Sequence, residues 1–288
     1  MIMNILLRAL LICSMLFAGP LVLAESGQTE KTQIEIVQAE TAQAVLAALA
    51  LSDIIEVMRQ EGLAQAVDVT GGFLPSTAAV AWRRDLDAIY DINWMKATVA
   101  AHFARELGDA DMSDVLAFLT STNGKRLVAL EVSARQAMSD ASIEDAARSV
   151  YRARGDASNA RRDLVATFIS RNDTVAANVE SALHASFSYY RGLRESGALE
   201  MSDREIIEEV WATEAETRSD TSEWLHAFLW MAYAPLDNSV LAEYSALSAT
   251  GAGQQMNKAL FASFDQMFAE IFYALGLTTG QALQTQNL

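Results

Sequence analysis

Proline is almost missing from this sequence, and helix-forming residues fill the chain instead. Only Pro75 and Pro235 lie beyond residue 24. Because proline removes a backbone donor and breaks helix interiors, a long chain with so few prolines can continue from helix to helix. The one strand-like patch, 67–70, is too short to build a sheet. The sequence therefore predicts an all-α protein, a multi-helix bundle.

Apolar residues recur at three- and four-residue spacing along most of the chain, which is typical of helices that bury one face. The stripe Met256, Leu260, Phe264 and Met267 is the clearest, and it predicts a helix deep in the core. Ser202-x-x-Glu205 and Asp220-x-x-Glu223 resemble capping boxes at helix starts. The predicted helices are 33–61, 77–90, 92–107, 112–121, 124–139, 142–154, 158–171, 174–196, 202–217, 221–233, 238–248 and 254–275.

The first 24 residues have the pattern of a secretory signal. Arg8 is their only charge, an apolar run follows it, and Val22-Leu23-Ala24 supplies a small-residue cleavage site. We expect cleavage after Ala24 and a periplasmic protein; a membrane anchor is the alternative interpretation, although the uncharged stretch is short for a span. The only cysteine, Cys13, lies in this leader, so the mature chain has no thiol or disulfide.

Charge limits the classes of partner. The formal net charge is −16, which repels nucleic acid backbones and anionic lipid headgroups. We therefore expect no nucleic acid partner and no membrane insertion after signal cleavage. A cationic ligand is compatible with this charge, but solvated acidic faces are the simpler interpretation.

Two halves of the chain correspond when it is shifted by 129 residues. Trp82 then falls on Trp211, and Gly124 falls on Gly253, without a gap between them. This agreement predicts two related helical repeats, 25–153 and 174–288, joined by a connector at 154–173. Each glycine is expected at a structural joint where one helix stops and the next begins.

The segment from Leu116 to Leu127, Leu-Ala-Phe-Leu-Thr-Ser-Thr-Asn-Gly-Lys-Arg-Leu, resembles the signature of DUF2059, a bacterial family of unknown function. The family pattern is a helix ending in Phe-Tyr-x-Ser, followed by Pro-x-Gly-Lys/Arg and a second helix; this chain has Leu119 and Thr122 at the aromatic and proline positions. The segment 244–255 looks like a more divergent copy, and 55–63 resembles the family's opening helix. The resemblance implies an exported all-α protein and supplies no catalytic residues.

The common catalytic and nucleotide-binding motifs are missing from the sequence. It contains no His-Glu-x-x-His, no glycine-rich phosphate loop and no Gly-x-Ser-x-Gly elbow. Glu223-x-x-His226 has a spacing used by di-iron bundles, but the second copy is missing, because Glu180 and His184 are four residues apart. We therefore predict no metal and no cofactor.

One group of residues is the candidate ligand-binding site. Four aromatic residues could line a pocket between helices, with Glu223 and His226 beside them, although packing in the core is the default role of such residues. The aromatic members are Trp211, Trp224, Trp230 and Tyr233.

These features favour a non-enzymatic binding or scaffold module of the envelope, acting on a partner protein, a peptide or a small apolar ligand. Two alternatives stay open. One is a hydrolase of envelope material that uses a carboxylate acid, which would need a carboxylate of raised pKa deep in a cleft. The other is a chaperone-like holder, suggested by the many methionine and phenylalanine residues.

Overall fold

The computed structural model describes residues 28–70, 76–153 and 159–286. Every regular element in these ranges is a helix, which confirms the predicted all-α class. The predicted leader 1–24, its Cys13 and the first part of the connector lie outside the described residues. The helices are α1 (Gln28–Ala48), α2 (Leu51–Thr70), α3 (Ser76–Ile89), α4 (Ile92–Leu107), α5 (Ser113–Thr120), α6 (Thr122–Met138), α7 (Ala141–Ala153), α8 (Ala160–Arg171), α9 (Thr174–Glu195), α10 (Asp203–Trp211), α11 (Glu214–Ala232), α12 (Asn238–Ser248) and α13 (Gly251–Gln286).

The predicted helix 33–61 is two helices in the structure. The chain breaks between α1 and α2 at Ala50, which has φ of 52° in the left-handed region. The segments Val37–Ala48 and Leu51–Ala66 meet at a bend of 63°. Within the described residues, no single helix is long and apolar enough to cross a membrane; this bent pair meets those criteria only when both segments are combined.

The start of α11 was also wrongly predicted. Ser202 and Glu205 do form a capping box at the start of α10, but α11 begins at Glu214 and Asp220 lies inside it. The Asp220 carboxylate pairs with Arg148 at 3.0 Å, and Glu223 contacts the same guanidinium at 3.2 Å. These carboxylates therefore join α7 to α11 instead of capping a helix.

Helix α13 continues past Gly276, where the sequence predicted its end. A Cβ atom at Gly276 would lie 2.0 Å from the carbonyl oxygen of Tyr189, and one at Gly192 would lie 2.2 Å from that of Tyr273. Real Cβ atoms do not approach other atoms so closely. The two glycines therefore allow α9 and α13 to pack backbone against backbone, and Gly276 serves close packing instead of helix termination.

Gly124 and Gly253 lie at two joints with the same local geometry. The Gly124 amide donates to Ser121 Oγ, and the Gly253 amide donates to Thr250 Oγ1, both at 3.1 Å. A Cβ at Gly124 would meet the Phe118 carbonyl at 2.0 Å, and one at Gly253 would meet its counterpart, Leu247, at 2.3 Å. Neither glycine has positive φ. Close approach of the preceding helix is therefore what requires glycine at each joint.

Helices α1–α6 and α8–α13 pack in the same internal pattern. In the first set, α1 packs on α4 and α5, and α2 packs on α4 and α6; in the second, α8 packs on α11 and α12, and α9 packs on α11 and α13. The sets exchange equivalent contacts, since α4 packs on α13 and α6 packs on α11. One continuous apolar core results, and it includes Met95 from the first set and Phe268 from the second.

Candidate functional site

An apolar groove of about 510 Å³ opens between α9, α10 and the first turn of α11. Its volume lies in the range of small-molecule sites. The groove combines apolar walls with an open mouth. The apolar side chains that line it come from α9 and α10: Val179, Leu183, Phe187, Ile207, Val210 and Trp211.

Trp211 dominates the mouth of the groove. Trp211 is 62% exposed and Ile207 is 45% exposed, although both are large and apolar. Val179, Ile206 and Val210 are buried beneath them. Positions 207 and 211 are one helical turn apart and therefore share a face of α10. An apolar ligand on this face would remove both side chains from water.

Local interactions fix the position of α10 beside α9. Ser202 Oγ accepts from the Glu205 amide, while the Glu205 carboxylate accepts from the Ser202 amide at 2.7 Å. Arg194, at the end of α9, donates to the Asp203 carboxylate at 2.6 Å. The cap and this ion pair together define where α10 begins, and hence where Trp211 is placed.

Polar side chains from α9, α11 and α13 surround the apolar walls. His184 Nδ1 lies 2.8 Å from the Asp265 carboxylate, which joins α9 to α13. The hydrogen bond to Asp265 raises the pKa of His184 above its ordinary value, and burial opposes that shift. Glu214 pairs with Arg218 at 2.6 Å across one turn of α11. Glu180 is exposed, and its charge also acts on the His184 ring.

The predicted aromatic group does not converge on this groove. Only Trp211 of that group lines it. Trp224 is buried, stacks on Phe228 at 4.9 Å between ring centroids, and lies under the Arg135 guanidinium at 5.1 Å. Tyr233 is fully buried, and its hydroxyl donates to Glu131. Trp230 is half-buried on α11.

Glu223 and His226 have separate partners in the structure. Glu223 contacts Arg148 and Arg152 at 3.2 and 3.1 Å. His226 Nδ1 donates to the Ser222 carbonyl at 2.7 Å, and burial lowers the pKa of its ring. Among the described residues, no group of three or more His, Cys, Asp or Glu side chains is arranged to hold a metal ion.

Glu131 is a chemically notable residue that the sequence analysis missed. Burial raises the pKa of its carboxyl to about 7, although the hydrogen bond from Tyr233 acts in the opposite direction. Glu131 is not among the residues that line the groove. It was missed because Glu131 and Tyr233 are distant in sequence and are brought together only by the packing of α6 on α11.

The comparison with family models supports the resemblance noted from sequence. Residues 93–152, from α4 to α7, match the model of an uncharacterized protein conserved in bacteria, DUF2059. This segment is similar to the DUF2059 family. The match includes the Gly124 joint and does not extend to the groove. No curated protein and no solved structure matches the chain.

Proposed function

We propose that this chain is a non-enzymatic binding module of the bacterial envelope, and that its groove between α9, α10 and α11 accepts an apolar group. One observation carries the proposal: Trp211 stands 62% exposed at the mouth of an apolar groove of about 510 Å³. Exposed tryptophan is costly in water, and tryptophan is enriched where proteins bind partners. The leader pattern in residues 1–24 supports the envelope location.

The composition of the groove favours binding over catalysis. The described residues that line it supply no hydroxyl, thiol or amine nucleophile. Glu131, which has the raised pKa expected of a catalytic acid, pairs with a buried tyrosine outside the groove. The Met- and Phe-rich stripe that suggested a chaperone-like holder, including Phe264 and Met267, is buried in the core. These placements leave the groove as the best-supported functional surface.

A neutral apolar fluorophore, N-phenyl-1-naphthylamine, tests the proposal, because its emission rises when it leaves water. We expect saturable binding to the purified mature protein. Trp211→Ala should weaken binding about tenfold or more, since it removes a large part of the apolar contact area. Ile143→Ala changes an exposed apolar residue on α7, outside the groove, and should leave binding unchanged. Binding that is absent, or equal in all three proteins, would contradict the proposal.

We also propose that the chain consists of two copies of one unit. The matching joints at Gly124 and Gly253 and the shared packing pattern of the two helix sets support this proposal. Gly124→Ala and Gly253→Ala should each lower the free energy of unfolding by about 1–3 kcal/mol, because the added Cβ overlaps the preceding helix. Gly251→Ala is the control, since its Cβ would meet nothing within 4 Å. If only one of the two alanine variants loses stability, the two joints are not equivalent and the proposal is contradicted.

A further inference from the structure

We infer that the natural occupant of the groove is an amphipathic helix of a partner protein, with basic residues flanking its apolar face. This inference rests on the proposed binding function and specifies the partner. Three observations support it: how the corresponding face of the first helix set is covered, the spacing of the exposed side chains on α10, and the charge around the groove.

The first observation is a missing contact. Trp82 on α3 corresponds to Trp211 on α10, and both helices pack on the helix before them, α2 and α9 respectively. However, α3 also packs on α13, and Trp82 is only 5% exposed. Among the described residues, no comparable contact joins α10 to α6, the counterpart of α13. The first tryptophan is thus buried within a helical bundle, whereas the second lacks the equivalent covering helix.

The second observation is the form of the exposed surface. Ile207 and Trp211 lie one turn apart on α10, facing a groove that continues along α9 past Val179, Leu183 and Phe187. Helix-in-groove recognition uses anchors at i, i+3, i+4 and i+7 from one face of the bound helix. The groove, about 510 Å³, has room for a few such side chains.

The third observation is the charge. Residues 200–220, which contain α10 and the first turn of α11, hold eight carboxylates and two arginines, a net charge of −6. Glu180 adds an exposed carboxylate on the α9 side. Complementary charge steers association and selects partners. A second copy of this chain carries the same net charge of −16 and would be repelled, so a basic partner fits better.

Synthetic peptides test the inference on the mature protein. The test peptide places leucines at i, i+3, i+4 and i+7 with lysines on the other positions. One control has the same composition in scrambled order, and another has glutamate in place of lysine. We expect the test peptide to bind with 1:1 stoichiometry by calorimetry, about tenfold or more tighter than either control, and to displace N-phenyl-1-naphthylamine.

Protein variants separate the groove from general charge attraction. Trp211→Ala should weaken peptide binding about tenfold or more. Glu180→Gln should weaken it about two- to fivefold, as expected for one exposed ion pair, whereas Glu243→Gln on the exposed side of α12 should have no effect. Equal binding of the scrambled peptide, or equal effects of the two glutamine variants, would overturn the inference.

The two proposals fail in different ways. If the fluorophore binds in a Trp211-dependent manner but no helical peptide displaces it, the groove binds apolar groups and the helical partner is wrong. If neither the fluorophore nor the peptide binds, both proposals are wrong. If the protein sediments as a dimer that Trp211→Ala dissociates, the occupant is a second copy, and the basic partner is wrong.

Discussion

Replacing Glu131 with glutamine should stabilise the protein, and more so at higher pH. Burial raises the pKa of this carboxyl from 4.5 to about 7, so the folded state prefers the protonated acid. Tyr233 donates its hydroxyl to Glu131, and the glutamine carbonyl can accept the same hydrogen bond. Glu131→Gln therefore keeps the polar contact between α6 and the end of α11 while removing the ionisation.

The size of the effect follows from proton linkage. A group whose pKa is raised by folding binds more protons in the folded state, so its contribution is most favourable below pH 4.5 and is lost as the pH rises towards 7. For this shift, the stability lost relative to acidic pH, where Glu131 is protonated in both states, is about 0.8 kcal/mol at pH 5 and about 3.3 kcal/mol at pH 8. Because the side chain is only partly shielded from solvent, we expect about 1–2.5 kcal/mol between these pH values.

Urea denaturation followed by far-UV circular dichroism measures this difference. The free energy of unfolding of Glu131→Gln, minus that of the wild type, should increase by about 1–2.5 kcal/mol from pH 5 to pH 8. Glu243→Gln, on the exposed side of α12, shows the effect of removing one surface carboxylate. A difference that is constant with pH, or that decreases as the pH rises, would show that Glu131 does not titrate as the structure indicates.

Three further changes test other parts of the structure. Gly276→Ala should destabilise the protein by about 1–3 kcal/mol in urea, because its Cβ overlaps the Tyr189 carbonyl; a neutral result would contradict close packing of α9 and α13. Ser202→Ala should cost about 1 kcal/mol through loss of the cap on α10, and unchanged stability would refute the cap. The His184 ring should titrate above 6.5 by NMR, and Asp265→Asn should lower that midpoint, because it removes the charged acceptor; an unshifted midpoint would argue against the pair.

Much of the helical architecture could be predicted because its signals are local. Helices 92–107 and 238–248 were predicted with the boundaries that the structure shows. The Asp91 carboxylate accepts from the Trp94 amide, so one side chain marks where α4 begins. Such signals depend on a few neighbouring residues and survive in any tertiary context.

The sequence predictions failed at three places, and at two of them a distant residue explains the difference. Ala50 has a left-handed φ and lies at the break between α1 and α2, although an alanine in a helical stretch predicts that the helix continues. Asp220 matched a capping pattern, but Arg148 binds its carboxylate across the bundle. Gly276 resembled a helix end, yet it marks a close helix crossing. At Asp220 and Gly276, tertiary packing overrode a reasonable local rule.

In the candidate site, too, the sequence identified residue types but not how they pack. The sequence selected Trp211 together with Trp224, Trp230 and Tyr233 because all four are large aromatics in neighbouring helices. Packing separates them. Trp224 and Tyr233 fill the interior. Trp211 faces a groove, and none of the described helices packs on α10 as α13 packs on α3. Any tryptophan offers a large apolar surface. At Trp211 most of that surface is exposed, so a partner can contact it. The peptide experiment therefore tests whether the arrangement that buries Trp82 within the chain is completed at Trp211 by a second molecule.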